Sequence, residues 1–290
     1  MTSLTSDRRS GAIVFNEIAA EYDRHRPAYP DELIDHACEV AGIERGDAVL
    51  DIGCGTGQLT RSLVDRGLCV VAVEPGRRLA ELAERNLGGT GGAEFVNARF
   101  EDAQLSRGRF RAVFSAAAFH WADPDVSWEK AANVLTPGGT LALIQHCGRQ
   151  EEAGLDDQAR LLAAIGRIAP ELAARWPTYR DLNATLDGAE RRRKNVSEVW
   201  EWVASQDVAR AYAERLFGDA EVACVPEVAE HTGDELNDLL RTASFYHRVS
   251  PEQQYALESE HVALYERLGR RIRSSMVAVL VTARRSGPPD

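Results

Sequence analysis

The residues best suited to chemistry in this chain are two acids and the bare loop that follows the first of them. The loop reads Asp51-Ile52-Gly53-Cys54-Gly55-Thr56-Gly57. Gly53 and Gly55 permit positive φ and let a ligand approach the main chain, and Gly57 lets a following helix start close against a sheet. Glu74 ends the next apolar run, "VVAVEP", about twenty residues further on, where an acidic side chain holds ribose hydroxyls. A ribose presents two hydroxyl donors that one carboxylate can accept. Asp51 would repel a pyrophosphate but can accept a hydrogen bond from an ammonium group. The spacing is GxGxG, not the GxGxxG of a dinucleotide fingerprint, and no Gly-Lys-Ser/Thr follows as in a P-loop. The pattern therefore calls for a nucleoside with an amino-acid-like tail and no phosphate.

The elements that must position these groups alternate. "AVLDIG" reads as a buried strand, "GQLTRSLVDRG" as a helix, "CVVAVEP" as a strand and "RRLAELAERNLGG" as a helix. "AEFVNARF" and "RFRAVFSAAAF" carry two more strands, "DVSWEKAANVL" a helix, "PGG" a turn and "TLALIQH" a fifth strand. Near-continuous apolar strands alternating with helices predict an α/β parallel sheet covered on both faces. Residues 1 to 11 are polar and expected to fray. "VFNEIAAEYDRHR" reads as one helix, stopped by the two prolines of "RPAYP". Residues 151 to 217 look helical, with Trp176, Trp200 and Trp202 but no strand candidate. "AEVACVPEVAEH" reads as a strand whose proline suits an edge or a bulge, and "SSMVAVLVTARR" as a last strand. The organisation expected is a core with an N-terminal cap helix over 12–147, a helical insertion over 148–218 that lids the acceptor, and a completion of the core sheet over 219–290.

"VLDIGCGTGQL", "VVAVEP", "ARFEDAQL", "FSAAAFHWADP" and "LTPGGTLAL" together resemble the class I S-adenosylmethionine-dependent methyltransferases. The closer likeness is to the small-molecule group that includes ubiquinone/menaquinone-biosynthesis and trans-aconitate methyltransferases. The likeness is strong over about residues 14 to 147 and weak beyond. S-adenosylmethionine is a phosphate-free nucleoside with an amino-acid tail, and S-adenosylhomocysteine would be the product. The resemblance implies a Rossmann-like seven-stranded sheet with the last strand antiparallel beside the fifth. It implies that Gly53 and Gly55 line the methionine part, that Glu74, followed by Pro75, holds the ribose, and that Phe100 and Glu101 enclose adenine. Ala116 would pass the cofactor by its backbone. Many relatives have Asp where this chain has Arg99, and Glu101 is the substitute. The helix carrying Tyr22 and Arg26 resembles a segment that closes over the cofactor, where Arg26 could pair with the methionine carboxylate.

Methyl transfer from a sulfonium is an in-line displacement, so the protein mainly aligns its reactants. His120, in "AAAFHWADP", is a candidate general base or orienting donor, and a packing histidine is the plainer alternative. Trp121 could floor an acceptor pocket, and Tyr246 and His247 could face it. The expected acceptor is a small organic molecule with an O, C or N nucleophile. A non-catalytic cofactor-binding regulator and an RNA or protein methyltransferase are the alternatives. The net charge of −11 counts against a nucleic-acid partner, as does the lack of an NPPY-like motif after the fourth strand. The basic run "RRRK", at 191 to 194, reads as a solvated face or loop. Five scattered cysteines at no metal-ligand spacing suggest reduced thiols, a cytoplasmic setting and no metal. No apolar run has transmembrane length, so no membrane partner is expected. Helical inserts of this kind also form dimer surfaces, which makes a homodimer an expectation.

Overall fold

The computed structural model describes residues 14–287, apart from 88, 90, 175 and 177. The fraying expected at the first residues lies outside the described part. Seven strands form one sheet in the order β3-β2-β1-β4-β5-β7-β6. They are β1 (Ala48–Ile52), β2 (Cys69–Val73), β3 (Ala93–Val96), β4 (Phe110–Ala116), β5 (Leu135–Gly148), β6 (Glu221–His231) and β7 (Ile272–Arg284). The first five run parallel. β7 inserts antiparallel beside β5, and β6 pairs with it antiparallel at the sheet edge. Pro226 sits in that edge strand, where a missing N–H costs no interior ladder bond. The topology is a Rossmann-like, mostly parallel sheet with antiparallel pairing confined to β5, β7 and β6.

Alternation along the strands sends side chains to two cores. One face carries Leu50, Ile52, Val71, Val113 and Leu143 against Trp128 and Trp200. The other carries Val49, Val70, Ala112, Phe114 and Ile144 against Leu33, Ile34, Leu59 and Leu63. The covering helices on the second face are α2 (Asp31–Ala41) and α3 (Gln58–Asp65), with α4 (Arg77–Leu87) following β2 and α5 (Pro124–Val134) preceding β5. Between β5 and β6 the described chain is helical: α6 (Leu155–Ile168), α7 (Pro170–Ala173), α8 (Leu182–Glu190), α9 (Val196–Ala204) and α10 (Ala213–Leu216). α11 (Gly233–Arg241) and α12 (Pro251–Leu268) follow β6 and share a smaller core with α6, built on Ile165, Leu240, Tyr246 and Leu257.

Three local expectations change. The N-terminal helix is broken at Ile18 (φ −102°, ψ 22°), leaving a helical stretch over 14–17 and then α1 (Ala19–His25). The break accompanies anchoring of the first stretch, where the Arg78 backbone N–H donates to Asn16 Oδ1 at 2.7 Å. β3 stops at Val96, because the Ala98 N–H turns back to the Val96 carbonyl at 3.0 Å. The glycine turn is looped out inside β5: Leu135 pairs with Phe110 and Thr140 with Ala112, so residues 136–139 oppose Arg111 alone.

Candidate active site

The loop after β1 lies at the carboxyl edge of the sheet, where open α/β sheets bind ligands. Gly53, Gly55 and Gly57 take φ of 69°, 57° and 87°. At Gly53 a Cβ would lie 2.4 Å from the Ala118 Cβ, so conformation and space both demand glycine. Gly57 differs from expectation in its neighbour. A Cβ there would meet Leu87 at 2.9 Å and Ala83 at 3.2 Å, so the close contact is with α4 rather than the sheet. β4 runs directly into a second strained position, Ala117 at φ 51°, held by its N–H to the Ile144 carbonyl at 2.8 Å.

Glu74 is locked in place by the loop. Its Oε2 accepts from the Gly55 N–H at 3.0 Å and its Oε1 from the Gly76 N–H at 2.8 Å. Each oxygen keeps a lone pair for a further donor. Burial raises its pKa, opposed by those two backbone bonds. Asp51 is 1% exposed. Its Oδ2 accepts from Thr60 Oγ1 at 2.7 Å, while the buried Oδ1 has no partner among the described residues. Burial pushes this carboxyl up to about 7, the Thr60 bond opposing and Glu74 adding to the rise.

Glu74 and the loop line a cavity of about 570 Å³. Of the residues singled out in the sequence, this cavity brings together Tyr22, Gly53, Gly55, Glu74, Pro75, Phe100, Glu101, Ala116 and Trp121. Asp51 lines a small adjoining recess with Tyr22, Tyr29, Gly53, Gly55 and Ala116. Arg26 stacks on Tyr22, 5.3 Å from the ring centroid, and its Nη2 donates to the Thr242 carbonyl at 3.3 Å. Its buried Nε has no partner among the described residues. Glu101 Oε1 accepts from Arg99 Nη2 at 2.9 Å and from the Asp123 N–H at 2.6 Å. Phe100 is buried under the Lys130 ammonium, 5.4 Å from its ring centroid.

Arg26 lines neither the cavity nor the recess, and three further predicted residues are placed elsewhere. His120 is buried, its ring 5.1 Å from that of Trp121, and it is not among the cavity-lining residues. Tyr246 packs in the small core of α6, α11 and α12 and donates to Glu258, and His247 Nε2 bonds the Arg241 carbonyl at 2.7 Å. Neither lines the cavity. Sequence reasoning in turn missed Phe15, Asn16, Arg77, Ala118 and Asp123, which do. It also missed Tyr29 in the recess. The motif "RPAYP", read only as a stop, held the signal for Tyr29.

The basic run is consumed locally. Arg193 and Lys194 pair with Asp219, and Arg192 covers the Trp202 ring at 4.3 Å. Among the described residues no helix is long and apolar enough to cross a membrane, and no group of three metal-ligating side chains occurs.

Residues 50–143 match the family described as a methyltransferase domain. An uncharacterized methyltransferase of Mycobacterium tuberculosis is 37% identical over 151 residues, covering 52% of this chain and 59% of that protein. A candidate methyltransferase of Dictyostelium discoideum is 32% identical over 132 residues, covering 44% of this chain and 47% of that protein. The chain thus spans under two thirds of the length of these relatives. In fold, the whole arrangement is similar to a candidate type II methyltransferase from Anaeromyxobacter dehalogenans, with a TM-score of 0.58 at 22% identity, covering 89% of this chain and 97% of that one. The matched segment contains the glycine loop, Glu74, Glu101, Ala116 and Trp121.

Proposed function

We propose that this chain transfers a methyl group from S-adenosylmethionine to a small organic acceptor. The observation that carries the reading is the pair of buried carboxylates bracketing the loop, one of them with an unpartnered oxygen. The residues present fit the cofactor. Asp51 Oδ1, a buried acceptor lacking a donor, would take the ammonium group. The Arg26 Nε, a buried donor lacking an acceptor, would take the carboxylate. Glu74, already oriented by two backbone N–H groups, would accept from both ribose hydroxyls. Phe100 and Glu101 would enclose adenine, with Arg99 holding Glu101 in place. Ala116 would pass the cofactor by its backbone.

Bound there, the cofactor would supply an electrophilic methyl group on a cationic sulfur. The chain's part is alignment and exclusion of water. Phe15 stands edge-on to Tyr22 and Trp121, at 5.5 and 5.7 Å between centroids, and these three rings close one side of the cavity. An apolar wall does not oppose a reaction in which positive charge disappears.

A thermal-shift series tests the assignment. S-adenosylmethionine and S-adenosylhomocysteine should raise the melting temperature, and NAD should not. Incubation with methyl-labelled cofactor and a metabolite extract should then yield a labelled small molecule. Stabilisation by NAD alone would overturn the reading. Stabilisation without any labelled product would favour a cofactor-binding regulator.

A further inference from the structure

The helical stretch over 14–17 carries a polar side chain that the assignment above leaves unused. Asn16 lines the main cavity together with Glu74, Pro75, Gly76 and Arg77. Its Oδ1 accepts from the Arg78 N–H at 2.7 Å. Because that partner is a donor, the amide oxygen is fixed on Arg78 and the amide nitrogen takes the other branch. The bond answers a local deficiency. α4 starts with Arg77 and Arg78, has no acid in its first turn, and its Ala80 N–H bonds the Gly76 carbonyl at 2.9 Å. Gly76 is thus the N-cap and has no side chain to offer the free N–H groups, so an amide 62 residues away supplies the acceptor. A Cβ on Gly76 would stand 3.0 Å from Glu74 Oε1 and 3.2 Å from Asn16 Oδ1. The carboxylate assigned to the ribose and the Asn16 amide therefore flank the same glycine within one cavity.

We propose that Asn16 is a second ribose-binding residue, its Nδ2 donating to the oxygen of a hydroxyl whose proton Glu74 accepts. The proposal rests on the methyltransferase reading and adds a specificity residue for its cofactor. A hydroxyl that donates to a carboxylate keeps lone pairs on its oxygen, and in a closed site these need a donor. Glu74 cannot supply one, because both its oxygens are acceptors and each already takes a backbone N–H. The two arginines that line the cavity are engaged, Arg77 with Glu81 at 2.8 Å and Arg99 with Glu101 at 2.9 Å. The Asn16 amide has both halves: an acceptor spent on α4 and a donor on a residue that lines the cavity. One side chain thus ties the 14–17 stretch to α4 and to the ligand. Phe15, beside it in the chain, holds the same stretch against Trp121.

Titration calorimetry with S-adenosylhomocysteine and its 2′-deoxy and 3′-deoxy analogues tests this in the wild type, Asn16→Ala and Asn16→Asp. Asn16→Ala removes the cap of α4 and the donor together. It should melt at a lower temperature and bind S-adenosylhomocysteine about five-fold more weakly. For the analogue that lacks the hydroxyl Asn16 serves, its affinity should fall within about two-fold of the wild type's, while for the other analogue the five-fold gap should remain. Asn16→Asp keeps an acceptor for the Arg78 N–H and places a negative charge at the start of α4, which favours the helix, but it has no donor. It should recover the melting temperature and not the affinity, which separates capping from the ligand contact. Equal losses by Asn16→Ala on all three ligands, no loss on any, or recovery of affinity in Asn16→Asp would overturn the proposal. Failure of the wild type to bind S-adenosylhomocysteine would instead sink the methyltransferase reading.

Discussion

The loop edge of β1 to β4 and the helical segment between β5 and β6 hold their shapes by different means. At the loop edge the backbone does the work. Three glycines at positive φ, a strained Ala117 and N–H groups aimed at Glu74 make a surface that few residue types can build. In the helical segment the side chains do it. Trp200 is fully buried, Trp202 is sandwiched between Arg180 at 3.7 Å and Arg192 at 4.3 Å, and Trp128 of the core donates to the Val208 carbonyl at 3.0 Å. The first region is specified by backbone geometry, and the second by packing. The two should therefore fail separately.

The largest effect should come from the packed side. Trp200→Ala leaves a hole in the main core and should cost about 4 kcal/mol of stability in a urea titration. In whatever fraction stays folded, affinity for S-adenosylmethionine should change by less than about two-fold, since distant sites act independently. A large loss of affinity would erase the distinction between the regions.

On the ligand side, Gly53→Ala forces a Cβ against Ala118 at positive φ and should cost roughly 3 kcal/mol in the same titration. Here, unlike Trp200→Ala, cofactor affinity should fall along with stability. Asp51→Asn should reverse that pairing. It removes a buried charge while keeping an acceptor for Thr60, so stability should hold. Loss of the charge-assisted bond should weaken cofactor binding by about 2 kcal/mol, measured by calorimetry.

Asp51 also gives the comparison a pH axis. Its carboxyl is raised to about 7, above the usual carboxylate range, so the folded apo-protein holds a proton that the unfolded chain has lost. That contribution to stability is fully present below about pH 4 and is lost as pH rises through 7. Binding of an ammonium group should run the other way, weakening as pH falls below 7 and Asp51 protonates. Melting curves with and without cofactor across this range should show the ligand-induced shift growing with pH. Asp51→Asn should flatten it.

The smallest effect is expected at His120, which is buried and off the cavity wall. His120→Ala should leave turnover on the acceptor within about five-fold. A loss of several hundred-fold would restore His120 as the base.

These differences also explain what the sequence could disclose. The loop edge was legible because its demands are on residue type. Positive φ with no room for a Cβ requires glycine, and the acids end strands at a spacing set by the strand–helix–strand unit. The seven-stranded sheet and the antiparallel β7 beside β5 were legible through the resemblance, and Pro226 pointed to an edge or a bulge, of which the edge is found. Ala117 carried no signal, since alanine at positive φ is enforced by its surroundings rather than by its own preference. Tyr246 and His247 looked available because a tyrosine–histidine pair near a helix end suits a pocket as well as a core. Their surroundings in α11 and α12 turned them inward.

The most direct test of the central claim is titration calorimetry of S-adenosylmethionine and S-adenosylhomocysteine into the wild type and Asp51→Asn at neutral pH. The account predicts saturable one-site binding of both to the wild type and at least roughly ten-fold weaker binding to the variant. Absence of binding to the wild type at millimolar ligand would contradict it, as would equal affinity in the two proteins.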